Sequence, residues 1–368
     1  MKNKKITSFD KLMFVMAVFA AIGMFMGIRA GISDPRQHMI ITFFGLAYPF
    51  FLLANLVILV YWVIRAKWIA VILTIVLIGY GGHTLRATFG FFGQQGELKK
   101  EDNRIIRMMT YNVHNFTPYG EKISLITKEK MLKLVAEQMP DIICFQEFYT
   151  RKKGPLDVID SLKRLLNVQH YYFEPSQTSQ KESIGMAIFS RYPIKDVGRI
   201  KFPGVTGNES IYADLNINNK LVRVYNIHLQ SISFEKEDYT YLDQVKEINP
   251  QMSSSKRILR MLKGAFKKRS EQVDLMKAHM GKCETPYIIA GDFNDTPASY
   301  VVTKMTDSLN NAFIKKGQGF GKTYNGKFPN FQIDYIATTK DIDVINYQII
   351  EAKLSDHFPV RSDLKLKE

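Results

Sequence analysis

Five apolar stretches of this 368-residue sequence adjoin side chains suited to holding a metal ion or a phosphate. MMTY leads into Asn112, ICFQ into Glu147, VYNI into His228 and IIAG into Asp292, while Asp356 and His357 stand directly ahead of FPV. Together they supply carboxylates, an amide, a histidine and an Asp-His pair. A carboxylate at the end of a buried strand is unfavourable unless something pairs with it. Any one of the five could be a strand running out into a turn, since Gly, Asp and Asn are common punctuation there. Five together are better explained as ligands gathered on one rim. A rigid sheet can bring together side chains that lie far apart in sequence.

The elements that would position them alternate between strand and helix signals. IIRMMTYNV (105–113) reads as a buried strand, followed by a helix capped by Thr127 and ending near residue 138, before Pro140. DIICFQE (141–147) and SIGMAIFS (183–190) are further strands. IYADLNI and LVRVYNIHL flank Asn218-Asn219-Lys220, a hairpin signal. YIIAGD, FQIDYIA (331–337), VINYQII (344–350) and FPVRSDL (358–364) complete the set. Hairpins mixed with helices indicate an α+β fold rather than a purely parallel doubly wound sheet.

TYNVHNF, FQE, SRYPI, NIHLQ, GDFND, IDYI and SDHFPV, in that order, resemble the motifs of the endonuclease/exonuclease/phosphatase superfamily, over roughly residues 105–366. That superfamily includes deoxyribonucleases, abasic-site endonucleases, neutral sphingomyelinases and inositol-polyphosphate phosphatases. The resemblance implies a four-layer α/β/β/α sandwich and metal-dependent hydrolysis of phosphoesters. It implies Mg²⁺, with Mn²⁺ as substitute, near Asn112, Glu147 and Asp356. Glu147 is the expected direct ligand, because hard cations prefer carboxylate oxygen. Asp292 would hold or deprotonate the attacking water, and Asn294 would orient it or donate to a phosphate oxygen. His357 would contact the phosphate with its ring fixed by Asp334, and His228 would donate to the phosphate or the leaving group. Asp292 and His357 both stay open as the base. His114 falls outside the family pattern, and Arg191 reads as a turn anchor.

The first hundred residues differ in kind. They carry 11 Lys/Arg against 3 Asp/Glu, leaving 39 against 32 for the remainder of a chain with net charge +15. Residues 12–28, 39–64 and 68–85 are free of charge, and the second run exceeds the ~20 residues a bilayer requires. The expected organisation is a three-span transmembrane anchor over 1–90, a polar linker over 91–104 and a catalytic domain over 105–368. Lys2, Lys4, Lys5, Lys11, Arg65 and Lys67 flank one side of the spans, and Arg29, Arg36 and Arg86 the other. That asymmetry places the N-terminus in the cytoplasm and the catalytic domain outside it, on the plasma (inner) membrane. Cys144 and Cys283 give neither a disulfide framework nor a zinc spacing.

The expected substrate is a phosphoester: nucleic acid, nucleotide or lipid head group. Abasic-site endonucleases usually lack the histidine of NIHLQ, so His228 argues against DNA repair. Residues 253–270, SSSKRILRMLKGAFKKRS, hold seven Lys/Arg and no acid. At helical spacing they form a basic amphipathic segment suited to anionic lipid or a nucleic-acid backbone, or a surface helix packed on the sheet. Two other readings compete with a nuclease-type phosphodiesterase: a phospholipase C-type hydrolase of lipid head groups, and a membrane-tethered binding module without catalysis.

Overall fold

The computed structural model describes residues 6–91, 93–100, 102, 104–117, 124–204, 207–232, 252–326 and 331–367. Two compact units emerge, one containing the chain up to Phe89 with Asp295–Lys304, the other Gly90–Asn294 with Met305–Glu368.

In the first unit, α1 (Ser8–Ala30) starts on a capping box in which Thr7 and Asp10 bond each other's backbone N–H. It is the one described helix long and apolar enough by itself to cross a membrane. The second expected span is a bent pair, α2 (Met39–Leu46) and α3 (Tyr48–Ile64), and the third is α4 (Trp68–Tyr80) with α5 (Gly82–Thr88). The pairs bend by 62° and 69°, and three spans result only if each pair counts as one. Their breaks have sequence causes. Pro49 lacks an N–H and sits in the first turn of α3, and Gly81-Gly82 separates α4 from α5. Within this unit Asp10 is buried and receives hydrogen bonds from Arg65 and Tyr61, each at 2.7 Å. Lys2, Lys4 and Lys5, used in the orientation argument, lie outside the described residues.

The second unit is built from strands, the central ones buried on both faces. They are β1 (Ile106–Asn112), β2 (Ile142–Arg151), β3 (His170–Thr178), β4 (Glu182–Ser190), β5 (Ile194–Lys201), β6 (Glu209–Ile217), β7 (Lys220–His228), β8 (Tyr287–Asp292), β9 (Asn310–Asn311), β10 (Asp334–Thr338), β11 (Ile342–Val344), β12 (Gln348–Ile349) and β13 (Val360–Leu366). A seven-stranded sheet runs β11-β13-β1-β2-β4-β3 with β12 beside β13, and a six-stranded sheet runs β9-β10-β8-β7-β6-β5. Ile106, Met108, Ile142 and Cys144 meet Ile211, Ala213, Ile288 and Ala290 in the core between the sheets. The alternate residues Met109, Tyr111, Ile143 and Phe145 face away, toward Met131 and Val135 of α6 (Leu125–Gln138) and Leu162 of α7 (Val158–Leu166). On the other sheet, α8 (Met252–Met280) buries Phe266, Val273, Met276 and Met280, and its His279 Nδ1 lies 3.0 Å from Tyr225 Oη. The result is a mixed α+β sandwich with helices outside both sheets.

Several local expectations shift. Ser124, not Thr127, caps α6, its Oγ accepting from Thr127 N. The run 344–350 splits into β11 and β12 because Asn346 leaves the ladder to bond Asp363 through both ends of its amide. The polar stretch expected as a linker is hydrogen-bonded to the sheet. Buried Arg107 donates to the Leu98 and Glu97 carbonyls, and buried Arg361 to those of Gln95 and Gly96.

Candidate active site

A different local device sets each site residue on the rim. Asn112 closes β1, and the next turn carries His114, Asn115 and Phe116 at φ 43, 56 and 57. Left-handed backbone disfavours residues with a Cβ, so three in succession mark a turn fixed by its surroundings. Part of that fixing is visible: the His114 N–H donates to Asn112 Oδ1 at 3.1 Å. Glu147 sits in a bulge where the β2–β4 register slips between Phe145 and Phe148, with its own φ at 51. The extra residue re-aims the side chain. Glu147 is thus partly exposed while Phe145 and Phe148 on either side stay buried.

Gly291 answers why GDFN follows an apolar strand. Its φ is 143, and a Cβ there would lie 2.0 Å from the Ile227 carbonyl oxygen. Only glycine lets β7 and β8 close at that point. Their parallel register then sets His228 opposite Asp292, and the antiparallel register of β10 sets Asp334 opposite the same aspartate.

The side chains of the two sheets meet. Asn112 Nδ2 donates to Glu147 Oε1 and to Asp292 Oδ2, both at 3.1 Å. Asn294 donates to Asp292 twice, from its backbone N–H at 2.8 Å and its amide at 3.1 Å. His228 Nε2 lies 3.7 Å from Glu147 Oε1 and 3.7 Å from Asp292 Oδ2. His357 Nε2 is also 3.7 Å from Asp292 Oδ2, while its Nδ1 is 3.0 Å from Asp334 Oδ2. Asp356 joins through Ser355, whose Oγ is 3.0 Å from the Asn112 carbonyl and 3.1 Å from Asp356 Oδ1. His114 lies beside it as well, Nδ1 to Asp356 Oδ1 at 3.8 Å.

Burial sets the charge states. It pushes the Asp292 carboxyl up to about 6, with Asp334 adding to the shift and His357, His228 and Asn112 opposing it. Burial acts the other way on His357, but the Asp334 and Asp292 carboxylates outweigh it and hold the ring well above the usual histidine range.

Asp292, Asp334 and His357 form a group whose ligand atoms lie within 4.8 Å of one another, able to hold a metal ion. Asp334 and His357 already satisfy each other, so this trio also reads as a proton-handling chain. The partly exposed oxygen donors suited to a hard cation belong to Glu147 and Asp356. His228 Nε2 is buried without a hydrogen-bond partner beside two carboxylates, as expected where a further charged group belongs. The residues present fit a divalent cation with a phosphate.

Supporting residues went unrecognised in the sequence. Thr323 Oγ1 accepts from Asp334 N, and its carbonyl accepts from Phe358 N, tying together the chain on either side of the Asp–His pair. Below the rim, Gln146 Nε2 donates to Asn226 Oδ1 at 2.6 Å, and Asn226 donates to the Phe145 and Ala187 carbonyls. Those two amides were legible as polar residues at inward strand positions within FQE and NIHLQ.

Residues 109–357 match the family model described as the Endonuclease/Exonuclease/phosphatase family. The chain belongs to this family. Its members are divalent-metal-dependent phosphoester hydrolases. Residues 10–87 match a domain of unknown function (DUF8431). Among solved structures, the chain resembles an endonuclease/exonuclease/phosphatase from Beutenbergia cavernae, at 18% identity and TM-score 0.51, covering 72% of each chain. It also resembles a mannosyl-6-phosphatase from Bacteroides thetaiotaomicron, at 16% identity and TM-score 0.50, covering 70% of this chain and 99% of that one. A humanised D. rerio TDP2 aligns at 12% identity and TM-score 0.50, covering 72% of this chain and all of the other. These likenesses are of fold. No curated protein matches the chain.

Proposed function

We propose that the protein is a membrane-anchored phosphodiesterase of nuclease type, dependent on Mg²⁺ or Mn²⁺. One observation carries the reading. Asn112 and Glu147 from one sheet meet His228 and Asp292 from the other around a buried, unpartnered imidazole nitrogen.

Glu147, with Asn112 and Asp356 beside it, would hold the cation. When bound, the cation neutralises charge on a phosphate oxygen. Asp292, ionised at neutral pH yet basic for a carboxylate, would take the proton of the attacking water, and Asn294 and Asn112 fix its orientation. Protonated His357, locked by Asp334, would donate through Nε2 to a phosphate oxygen. His228, whose Nε2 faces the same space, would donate to the leaving oxygen. The apolar helices of the first unit support anchoring, and the Lys/Arg asymmetry supports three crossings with the catalytic unit outside the cytoplasm.

The test is turnover of bis-(p-nitrophenyl) phosphate by the full chain in detergent. Activity should require Mg²⁺ or Mn²⁺, and inactivity with every divalent ion would sink the enzymatic reading in favour of a binding module. Plasmid DNA, sphingomyelin and phosphatidylinositol phosphates, tested side by side, then separate a nuclease from a lipid hydrolase. A reporter fused at the C-terminus and active only in the cytoplasm would reverse the orientation.

A further inference from the structure

From residue 256 onward, helix α8 is covered over only part of its length. From Ala265 onward it buries Ala265, Phe266, Arg269, Val273, Met276 and Met280. Ahead of Ala265 the same stripe continues through Ile258, Met261 and Leu262, but none of residues 256–264 is buried, and Leu259 is 42% exposed. The opposite side carries Lys256, Arg257, Arg260, Lys263, Lys267 and Lys268, all exposed. Among the described residues, Lys256, Arg260, Lys263, Lys267 and Lys268 have no acidic partner. The seventh cation of the run, Arg269, is not part of this face. It is buried and donates to the Gln230 and Asn294 carbonyls. An amphipathic helix normally spends its apolar stripe on its own core. Here that stripe outruns the sheet beneath it, and the side opposite the excess is lined with cations.

We propose that residues 256–268 of α8 bind the surface of an anionic lipid bilayer, the apolar stripe entering the interface and the cations resting on the head groups. A nucleic-acid backbone would engage the cations but offers nothing to Ile258, Leu259, Met261 and Leu262. A bilayer engages both sides. The proposal rests on the anchored reading of the chain. A helix this short binds weakly alone, but an anchor in the same molecule makes the second contact intramolecular and raises its effective concentration. The contact would hold the catalytic unit at the lipid surface.

The full chain is reconstituted in phosphatidylcholine vesicles with and without phosphatidylglycerol. In the unlabelled protein, hydrogen exchange over residues 256–264 should slow on the anionic vesicles only, and the protection should fade in high salt. A dye at Leu262→Cys, in a Cys283→Ser background, should shift to the blue and be quenched by nitroxide lipids under the same conditions. The variant K256E/R260E/K263E/K267E should lose both signals while hydrolysing bis-(p-nitrophenyl) phosphate at the parent rate. If the chain floats with both vesicle types but exchange and emission never change, the proposal fails while the anchor stands. If the chain floats with neither, both fail. If duplex DNA protects the helix and anionic vesicles do not, the face is a nucleic-acid surface and the lipid proposal is overturned.

Discussion

Arg269, on the buried side of α8, donates a 2.6 Å hydrogen bond from Nη1 to the main-chain carbonyl of Asn294. The same nitrogen reaches the Gln230 carbonyl at 3.1 Å. One guanidinium therefore braces the turn after Asp292 and the segment after His228. A charged hydrogen bond contributes about 1.5–3 kcal/mol, and more is lost when a buried carbonyl is left unpaired. Arg269→Met should lower unfolding free energy by about 2–4 kcal/mol. It should also reduce kcat at least as strongly as it raises KM, because it loosens the turn that carries Asn294. A variant with the lower stability but parent kcat would show that the brace is structural alone.

Glu147 is held at φ 51, where glycine is favoured over residues bearing a Cβ by about 1 kcal/mol or more. Replacing it with glycine should therefore give a folded protein more stable by about 1 kcal/mol and without metal-dependent turnover. Glu147→Gln keeps the strain and loses the charge. It should weaken Mg²⁺ binding in calorimetry while leaving stability near that of the parent. Undiminished Mg²⁺ affinity in both variants would remove Glu147 from the metal site.

Asp292 offers a pH test with a definite sign. Its carboxyl is pushed up to about 6 in the folded protein, from 3.8 for an ordinary aspartate. The folded state thus holds that proton more tightly than the unfolded chain. The associated stability is fully present below about pH 4 and is lost as pH rises through about 6. At 1.36 kcal/mol per pKa unit the loss is on the order of 2–3 kcal/mol. Asp292→Asn should make the metal-free protein more stable at pH 8 by an amount up to that size, with the gain vanishing near pH 4, and should abolish turnover. Denaturant melts across that range, without metal, provide the measurement.

How much of this was readable without coordinates varied with the physics involved. The rim residues Asn112, Glu147, His228, Asp292 and His357 stood out because a polar group at the end of an apolar strand is locally anomalous. Strands β3 and β5 did not stand out. Each edges its sheet and shows little clean alternation, and β3 also contains Pro175. Arg269 was hidden for a different reason. Amid six exposed cations it looked like a seventh, and only the packing of α8 turns its guanidinium inward. The bends after Leu46 and at Gly81 are written in Pro49 and the glycine pair, yet hydropathy alone passes over them.

His357 should respond to its partner. Burial pulls its pKa down, but Asp334 and Asp292 more than compensate and hold it well above the ordinary value. Stability from the protonated ring is fully present below the unfolded histidine pKa of about 6.5 and is lost as pH rises through the raised value. Asp334→Asn removes the carboxylate that does more to hold the proton. The alkaline limb of the rate profile should move to lower pH, and the His357 ring resonance should titrate closer to its ordinary range. An unmoved limb would assign it to another group.

The polar stretch ahead of β1 belongs energetically to the second unit. Arg107 is wholly buried, pairs with Asp363 at 2.7 Å, and spends its remaining donors on the carbonyls of Glu97, Leu98 and Gln138. Arg361 reaches the carbonyls of Gln95 and Gly96, and Lys100 pairs with Asp141 at 2.8 Å. Removing residues 91–104 takes the acceptors away but leaves the buried guanidinium groups in place. Breaking buried charged networks on one side costs about 3–5 kcal/mol. A fragment starting at residue 105 should therefore unfold at a clearly lower denaturant concentration than one starting at residue 91, or fail to accumulate. Substituting Arg361 by methionine in the shorter fragment removes a stranded charge, while Arg107 keeps Asp363 paired, and should restore part of the difference. Equal midpoints for the two fragments would show that the stretch is the slack tether its composition suggests.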